Sequence, residues 1–253
     1  MENETRSGAE LVNPYNDGDP KARQVEQMFD SIAPAYDFMN TAMTFGLHRH
    51  WRNRALSDAL KSSGSPSDIL DIATGTGDLA FDLHRRLPEA SITGIDLSEG
   101  MISEALAKLK KEPAEAARRI QFRKADATAI PLPDACMGLV TVAYGVRNFE
   151  NLRAGYREMW RVLRPGGTLC VIELSCPANP LLRRLYDIYS RNIIPAVGKM
   201  VSGDSRAYSY LPESIAAAPQ REAMSAIIRE CGFSECRWKT LTFGAVTYYI
   251  ATK

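Results

Sequence analysis

Residues 69–78, Ile-Leu-Asp-Ile-Ala-Thr-Gly-Thr-Gly-Asp, constrain the fold more than any other stretch of the chain. A short apolar run that leads through a glycine turn into an amphipathic segment is typical of strand, turn and helix in a nucleotide-binding α/β sheet. Gly75 and Gly77 lack Cβ atoms, so the turn can adopt positive φ angles and a ligand can lie against its backbone. Asp96 ends the next apolar run, where a carboxylate can accept hydrogen bonds from both hydroxyls of a ribose. Together these features predict a ligand that contains adenosine.

The residues of the turn favour one adenosine ligand over another. A dinucleotide site would have the pattern Gly-x-Gly-x-x-Gly, but Ala73 and Ala80 stand at its first and last positions. Asp71 and Asp78 would repel a pyrophosphate and would suit a cationic amino-acid ligand. We therefore predict an S-adenosylmethionine site rather than an NAD site, with Asp71, Gly75 and Gly77 among its contacts.

A third acidic residue follows the third predicted strand, residues 120–125. In an open α/β sheet ligands bind beyond the carboxyl ends of the strands, so Asp71, Asp96 and Asp126 are expected to converge on one crevice. There Asp126 would reach the adenine amino group, with the backbone of Ala127 beside it. For Asp126 taken alone, a helix cap is the competing interpretation.

The order of apolar patterns predicts a Rossmann-like α/β domain over residues 21–253 with two additions. Helical spacing precedes the first strand, with a break at Pro34 and a further helix over residues 36–60, so that residues 21–62 form a helical cap. A helical insertion over residues 176–215 is predicted on the substrate side. It alternates apolar and aromatic residues with arginines, which suits a cover for an apolar ligand, contact with lipid head groups, or a plain helical insertion with a solvated basic face. Residues 1–20 are predicted to be a flexible arm.

Composition excludes several classes of function. Net charge is +1 over 253 residues, and the Asn/Asp-Pro-Pro-aromatic run of base-modifying amino methyltransferases is missing after the fourth strand, so we expect no nucleic-acid partner. The chain has 5 cysteines without a Cys-x-x-Cys pair, and its 3 histidines are too few and too scattered for a metal site, so we expect reduced thiols and no metal. No apolar run approaches the roughly 18 residues of a membrane span, and no targeting signal is evident, which predicts a cytoplasmic protein.

Six segments of the chain resemble the UbiE/MenG family of quinone C-methyltransferases, within the class I S-adenosylmethionine-dependent fold. The matching segments are residues 29–37, 70–78, 94–101, 145–148, 163–167 and 208–215. The Gly-x-Gly and Arg-Pro-Gly-Gly turns occur in many methyltransferases, whereas the Phe-Asp-x-Ile-Ala, Gly-Val-Arg-Asn and Tyr-x-Tyr-Leu-Pro-x-Ser-Ile segments are more particular. The resemblance implies a mostly parallel seven-stranded sheet with an antiparallel last strand and helices on both faces.

The resemblance also implies the reaction and its cofactor contacts. The reaction would be methyl transfer from S-adenosylmethionine to a ring carbon of a polyprenylated quinol, 2-demethylmenaquinol giving menaquinol in menaquinone biosynthesis. By position, family cofactor contacts fall on Thr76, Asp96, Asp126 and Ala127. A further contact falls on Ala143, where some relatives have a serine.

Methylation of carbon requires a carbon nucleophile, which a quinol provides once a ring hydroxyl loses its proton. Arg147 is our candidate on the substrate side, because a guanidinium stays protonated and can stabilise the developing phenolate or fix a water. The structural alternative for Arg147 is a salt bridge to a helix carboxylate. Asn148, Tyr36 and Tyr208 are candidates for positioning the ring.

Other acceptors and one non-enzymatic function stay open at this stage. The cofactor-binding residues would be the same in an enzyme that methylates a ubiquinone precursor benzoquinol or another phenolic or lipid acceptor. The chain could also be an S-adenosylmethionine-binding scaffold in a biosynthetic complex. The expected partner is a lipid-soluble quinol, and the sequence leaves room for peripheral contact with the inner membrane surface and for a homo-oligomer.

Overall fold

The computed structural model describes residues 8–15, 17–193 and 205–253 and contains one seven-stranded sheet. The strands are β1 Asp68–Ile72, β2 Ser91–Asp96, β3 Ile120–Lys124, β4 Met137–Ala143, β5 Leu163–Leu174, β6 Glu235–Leu241 and β7 Val246–Thr252. Their order across the sheet is β3-β2-β1-β4-β5-β7-β6. Strands β1 to β5 are parallel, and β7 is antiparallel to both of its neighbours. The predicted Rossmann-like α/β sheet with an antiparallel last strand is confirmed.

Helices cover both faces of this sheet. They are α1 Lys21–Ile32, α2 Tyr36–Thr44, α3 Leu47–Ser63, α4 Asp78–Arg86, α5 Glu99–Leu109, α6 Ala114–Arg119, α7 Leu152–Val162, α8 Pro180–Ile188, α9 Ser205–Ala217 and α10 Glu222–Glu230. Short 3-10 turns lie at Gly8–Leu11, Ala33–Ala35, Val146–Asn148 and Thr242–Gly244, and a π-helical turn at Tyr189–Ile193 extends α8.

Burial on both faces explains why the sequence of β1 is almost continuously apolar. Ile69 packs with residues of α3, α4 and α5 on one face, whereas Leu70 and Ile72 pack with residues of α7 and α10 on the other. A strand buried on both faces has no polar alternation. Strand order changes direction between β1 and β4, which opens the crevice at the carboxyl ends of these two strands.

The helical cap packs as a third cluster above this crevice. Met28, Ile32 and Met39 of the cap pack against Met101 of α5 and Tyr210 of α9. The sequence predicts one helix over residues 36–60, and this prediction is wrong. Phe45 and Gly46 have φ angles of 51° and 75°, so the chain turns through a left-handed conformation and α3 starts in a new direction.

The N-terminal segment contacts the domain from its first described residues. The Glu10 carboxylate accepts a hydrogen bond of 2.6 Å from the Leu152 backbone N–H at the start of α7. The Lys21 ammonium donates to the carbonyl oxygens of Ala9, at 2.5 Å, and Arg147, at 3.2 Å. Residues 8–11 are therefore docked beside the crevice, and residues 1–7 and 16 of the predicted flexible arm lie outside the described residues.

Candidate active site

The glycine turn is joined directly to the end of the second strand. Gly75 and Gly77 have φ angles of 56° and 84°, as the sequence predicts for this turn. The Asp96 carboxylate accepts the Gly75 backbone N–H at 2.8 Å and the Ser98 backbone N–H at 2.9 Å. Burial raises the pKa of Asp96 above its usual value, and these backbone donors act in the opposite direction. The two amides thus fix the direction of a carboxylate that keeps lone pairs for a ligand.

A cavity of about 430 Å³ lies over the carboxyl ends of the strands. Five predicted cofactor residues line it, and these are Gly75, Asp96, Asp126, Ala127 and Ala143. Apolar side chains of Phe29, Met101 and Phe149 complete walls that suit an adenine ring.

The charge of this cavity agrees with a cationic ligand. Its lining residues include Glu26, Asp96, Asp126 and Glu150, and no lysine or arginine among the described residues. A pyrophosphate would be repelled here, whereas an ammonium and a sulfonium would be attracted. The residues present therefore fit S-adenosylmethionine, although Asp71 and Asp78, from which the sequence predicts a cationic ligand, do not line this cavity.

Asp71 supports the turn instead of lining the large cavity. Its carboxylate is 1% exposed and accepts the hydroxyls of Thr74, at 2.6 Å, and Thr141, at 2.7 Å. Burial raises the pKa of Asp71 to about 7. Of the three strand-end acids expected to converge on one crevice, Asp96 and Asp126 line the large cavity, whereas Asp71 does not.

Thr76 and Gly77 also lie outside the wall of the large cavity. The Thr76 hydroxyl donates to the Asp37 carboxylate at 2.6 Å and accepts from the Lys108 ammonium at 2.9 Å. A Cβ on Gly77 would approach Phe122 Cζ to 2.7 Å, so this glycine is required by packing of the turn on β3. Both residues hold the turn in place on the side away from the large cavity.

Asp30 explains the Phe-Asp-x-Ile-Ala segment of the sequence. Its carboxylate accepts the Ser98 hydroxyl at 2.6 Å and the Gly100 backbone N–H at 2.8 Å. This contact joins α1 to the start of α5, where Ser98 also caps the helix by accepting from the Met101 N–H. The neighbouring Phe29 is thereby placed in the wall of the large cavity.

A second cavity of about 280 Å³ adjoins the first and is mainly apolar. Its wall comes from α1, α2 and α3 of the cap and from the insertion, including Met39, Met43, Trp51, Tyr186, Tyr189 and Leu211. Phe29, Tyr36 and Tyr144 line both cavities. An apolar molecule in the second cavity would therefore lie next to a ligand in the first.

Arg147 lies in the wall of the apolar cavity and is also paired. Its guanidinium is 2.8 Å from the Glu173 carboxylate of β5 and donates to the Tyr144 carbonyl oxygen. Although burial alone would lower the pKa of Arg147, Glu173 raises it above the usual value. Its buried Nε atom has no hydrogen-bond partner among the described residues. The alternative of a structural salt bridge is thus realised, with a strand carboxylate as the partner, while one donor remains unused.

The other predicted substrate residues have different positions. The Asn148 side chain accepts a hydrogen bond from the Tyr210 hydroxyl at 3.0 Å and lines the large cavity. Tyr36 makes an edge-to-face contact with Phe29, with ring centroids 6.1 Å apart. Tyr208 belongs to α9, but its side chain lies outside the described residues.

Two residues of the cavity walls were missed by reasoning from sequence. Tyr144 has a φ angle of 61°, and its buried hydroxyl has no hydrogen-bond partner among the described residues. A strained backbone and an unpartnered donor at the junction of two cavities indicate a functional position. His48 lines the apolar cavity from α3. No local pattern distinguishes a lone histidine on a helix from a core residue.

The described residues contain no cluster of three or more His, Cys, Asp or Glu side chains that could hold a metal ion. No helix in the same ranges has both the length and the apolar content needed to cross a bilayer.

Known proteins with a similar sequence cover nearly the whole chain. Residues 18–253 match the model of the ubiE/COQ5 methyltransferase family. A demethylmenaquinone methyltransferase of Bacteroides fragilis is 43% identical over 96% of this chain and 98% of its own length. A ubiquinone/menaquinone biosynthesis C-methyltransferase UbiE of Dinoroseobacter shibae is 39% identical over 93% of this chain and 92% of its own.

Solved structures show the same fold. An S-adenosylmethionine-dependent methyltransferase of Thermotoga maritima matches with a TM-score of 0.58 and 20% identity, covering 90% of this chain and 99% of that one. The seven-stranded arrangement described above is therefore the methyltransferase fold.

Proposed function

Since this chain belongs to the ubiE/COQ5 methyltransferase family and is an S-adenosylmethionine-dependent methyltransferase, we propose that it methylates a ring carbon of 2-demethylmenaquinol to give menaquinol. The observation that carries this proposal is the apolar cavity of about 280 Å³ whose wall is shared with the acidic cofactor cavity. A lipid-soluble quinol is the kind of acceptor that such a cavity favours. The Bacteroides fragilis relative is named for the same substrate class.

Asp96, Asp126 and the backbone of Gly75 and Ala127 would hold the adenosine. The ligand supplies, when bound, a methyl group on a positively charged sulfur. Tyr36 and Tyr144 line both cavities, so we assign them to holding the ring against the methyl and keeping water out. Orientation and exclusion of water contribute roughly 7–11 kcal/mol in well-oriented systems.

Arg147 and Tyr144 would act on the oxygen of the quinol. Ring carbon becomes nucleophilic as a hydroxyl proton leaves and negative charge develops on that oxygen. The Nε–H of Arg147 and the hydroxyl of Tyr144 are buried donors with no partner of their own in the described part of the chain. Burial raises the pKa of Tyr144, so its hydroxyl stays protonated and can donate. Preorganised donors of this kind stabilise developing charge.

Purified protein should transfer labelled methyl from S-adenosylmethionine to a short-chain demethylmenaquinol. We expect kcat/KM for this naphthoquinol to exceed that for the matching benzoquinol by about tenfold, since one extra fused ring adds apolar contact area. The oxidised quinone is the control substrate and should accept no label, because its ring carbon is electrophilic. Label in neither quinol would contradict the proposal. A preference for the benzoquinol would favour the ubiquinone precursor, a substrate class that the name of the Dinoroseobacter relative includes.

Contact with a lipid surface is a further part of this proposal. Phe45 and Phe243 are each 81% exposed. Phe45 lines the apolar cavity, and Phe243 follows Thr242, which also lines it. Leu181, Leu185 and Ile188 are exposed on α8, the helix that supplies Tyr186 to the same wall. Exposed apolar side chains around the wall of a cavity for a membrane-soluble substrate suit peripheral binding to the inner membrane surface.

The double variant Phe45→Ser, Phe243→Ser should bind vesicles of phosphatidylglycerol and phosphatidylethanolamine at least about tenfold more weakly than the wild type. Each phenylalanine that enters the lipid contributes about 1.5–3 kcal/mol. Co-sedimentation with the vesicles measures the effect. Leu106→Ser is the matched control, because Leu106 is exposed on α5, away from the apolar cavity. Equal binding by the double variant and the wild type would refute the assignment.

A further inference from the structure

The proton of the quinol hydroxyl needs an acceptor, and Arg147 and Tyr144 are both donors. The described residues that line the apolar cavity include no aspartate or glutamate. Their ionisable side chains are Arg147, His48 and the tyrosines 36, 144, 186, 189 and 210. A guanidinium and neutral phenols do not take up a proton near pH 7. His48 is the one group in this described wall with a nitrogen lone pair at that pH.

The hydrogen bonds of His48 decide which nitrogen carries that lone pair. The Thr44 hydroxyl donates its single hydrogen to the Asn40 carbonyl oxygen at 2.6 Å. His48 Nδ1 lies 2.7 Å from the same hydroxyl oxygen, so Nδ1 has to be the donor in this contact. The neutral imidazole is therefore protonated on Nδ1, and Nε2 is the basic nitrogen. In the described part of the chain Nε2 has no hydrogen-bond partner.

The surroundings of His48 keep the imidazole neutral. Its side chain is 5% exposed. Burial lowers the pKa of His48 below its usual value, and Arg52 and Arg49 lower it further, while Asp78 and Asp37 partly oppose them. His48 also lines a further, small cavity beside the glycine turn. Asp71, Tyr36 and Tyr144 line the same small cavity. A neutral base with a fixed free nitrogen is what proton abstraction requires.

We propose that His48 Nε2 accepts the proton of the quinol hydroxyl during methyl transfer, an assignment that rests on the function proposed above. The O–H electron pair stays on the oxygen, and the adjacent ring carbon forms its bond to the methyl carbon. The methyl–sulfur bond breaks with its electron pair on sulfur. The methylated ring carbon then loses its hydrogen to water as a proton, which restores the aromatic ring, and His48 returns its proton to the oxygen.

His48→Asn should lower kcat/KM for the quinol at pH 7 by about 100-fold or more, the effect of removing a general base. The dissociation constant for S-adenosylmethionine should stay within twofold of the wild-type value. His50→Asn is the matched control, since His50 is exposed on the same helix, and it should leave kcat/KM unchanged. Residual kcat/KM within threefold of the wild type in His48→Asn would overturn the proposal.

The pH profile separates a proton acceptor from a merely structural histidine. Because the pKa of His48 lies below 6.5, the base is present near pH 7 and is lost as the pH falls through that lower value. Wild-type kcat/KM should therefore decline below pH 6.5. In His48→Asn this decline should disappear and the rate should rise with pH as the quinol itself ionises. Asp71, whose pKa burial raises to about 7, is intact in the variant, so a decline that persists there would belong to Asp71 and would overturn the proposal.

Nitrogen NMR tests the assignment in protein whose His48 is intact. With 3 histidines in the chain, His50→Asn and His84→Asn leave one imidazole signal to assign to His48. A neutral Nδ1–H tautomer at pH 7 supports the proposal, and an Nε2–H tautomer or a protonated ring overturns it. This measurement holds even if no quinol is methylated, in which case the proposed substrate class fails while the tautomer is still determined.

Discussion

Replacing Asp96 with alanine is expected to weaken S-adenosylmethionine binding by roughly 100-fold or more. Two hydrogen bonds from ribose hydroxyls to a carboxylate would disappear, at about 1.5–3 kcal/mol each. The substitution also leaves the backbone N–H groups of Gly75 and Ser98 without their acceptor, which loosens the glycine turn. Titration calorimetry with S-adenosylmethionine measures the loss, and thermal unfolding without ligand reports the change in the turn.

Asp68→Asn is the matched control for this experiment. Asp68 is the first residue of β1, at the end of the strand away from the crevice, and it pairs with Arg164 at 2.6 Å. Its replacement should leave the dissociation constant unchanged. The dissociation constant of Asp96→Asn for S-adenosylmethionine should lie between those of the wild type and Asp96→Ala. The asparagine amide keeps one acceptor oxygen for the turn but lacks the negative charge. A dissociation constant within threefold of the wild type in Asp96→Ala would show that the cofactor lies elsewhere.

Removal of Arg147 should have two effects that need to be separated. Arg147→Ala leaves the Glu173 carboxylate, 3% exposed, without its cationic partner. Breaking a buried pair on one side costs about 3–5 kcal/mol of folding free energy. The same variant should lose turnover, because a donor to the developing phenolate is removed. Loss of activity alone would therefore not establish a role in the reaction.

The double variant Arg147→Met, Glu173→Gln separates folding from chemistry. Methionine fills the space of the arginine stem, and glutamine keeps an acceptor oxygen for the backbone N–H of Leu174, which Glu173 now holds at 2.8 Å. We expect the midpoint of urea unfolding to return most of the way to the wild-type value. Turnover should stay reduced by roughly 100–1,000-fold, as when a donor to an oxyanion is removed. Recovery of both stability and turnover would leave Arg147 with a structural role only.

The glycine turn and Asp96 were predictable because their requirements are local. Positive φ angles select glycine, and a carboxylate at a strand end faces the crevice of any parallel sheet. The same reasoning gave the α/β class and predicted that Asp126 lies at the crevice, where it lines the large cavity. It failed between residues 36 and 60, where apolar spacing suggests one helix. The break at Phe45 and Gly46 depends on how α3 packs on the sheet. Phe45 adopts a left-handed conformation, which the presence of a phenylalanine does not predict.

Sequence alone thus determined the sheet, the turn and the kind of ligand, since each follows from periodicity and from the conformational limits of single residues. Only the tertiary structure decided which side chains reach the cavities. Asp71 and Thr76 belong to the same turn as Gly75 yet face other residues. Arg147 pairs with Glu173, and His48 lines the same cavity as Tyr186 of the insertion, although these residues are far apart in sequence. Side-chain direction and long-range packing depend on the whole fold, so no local pattern contains them.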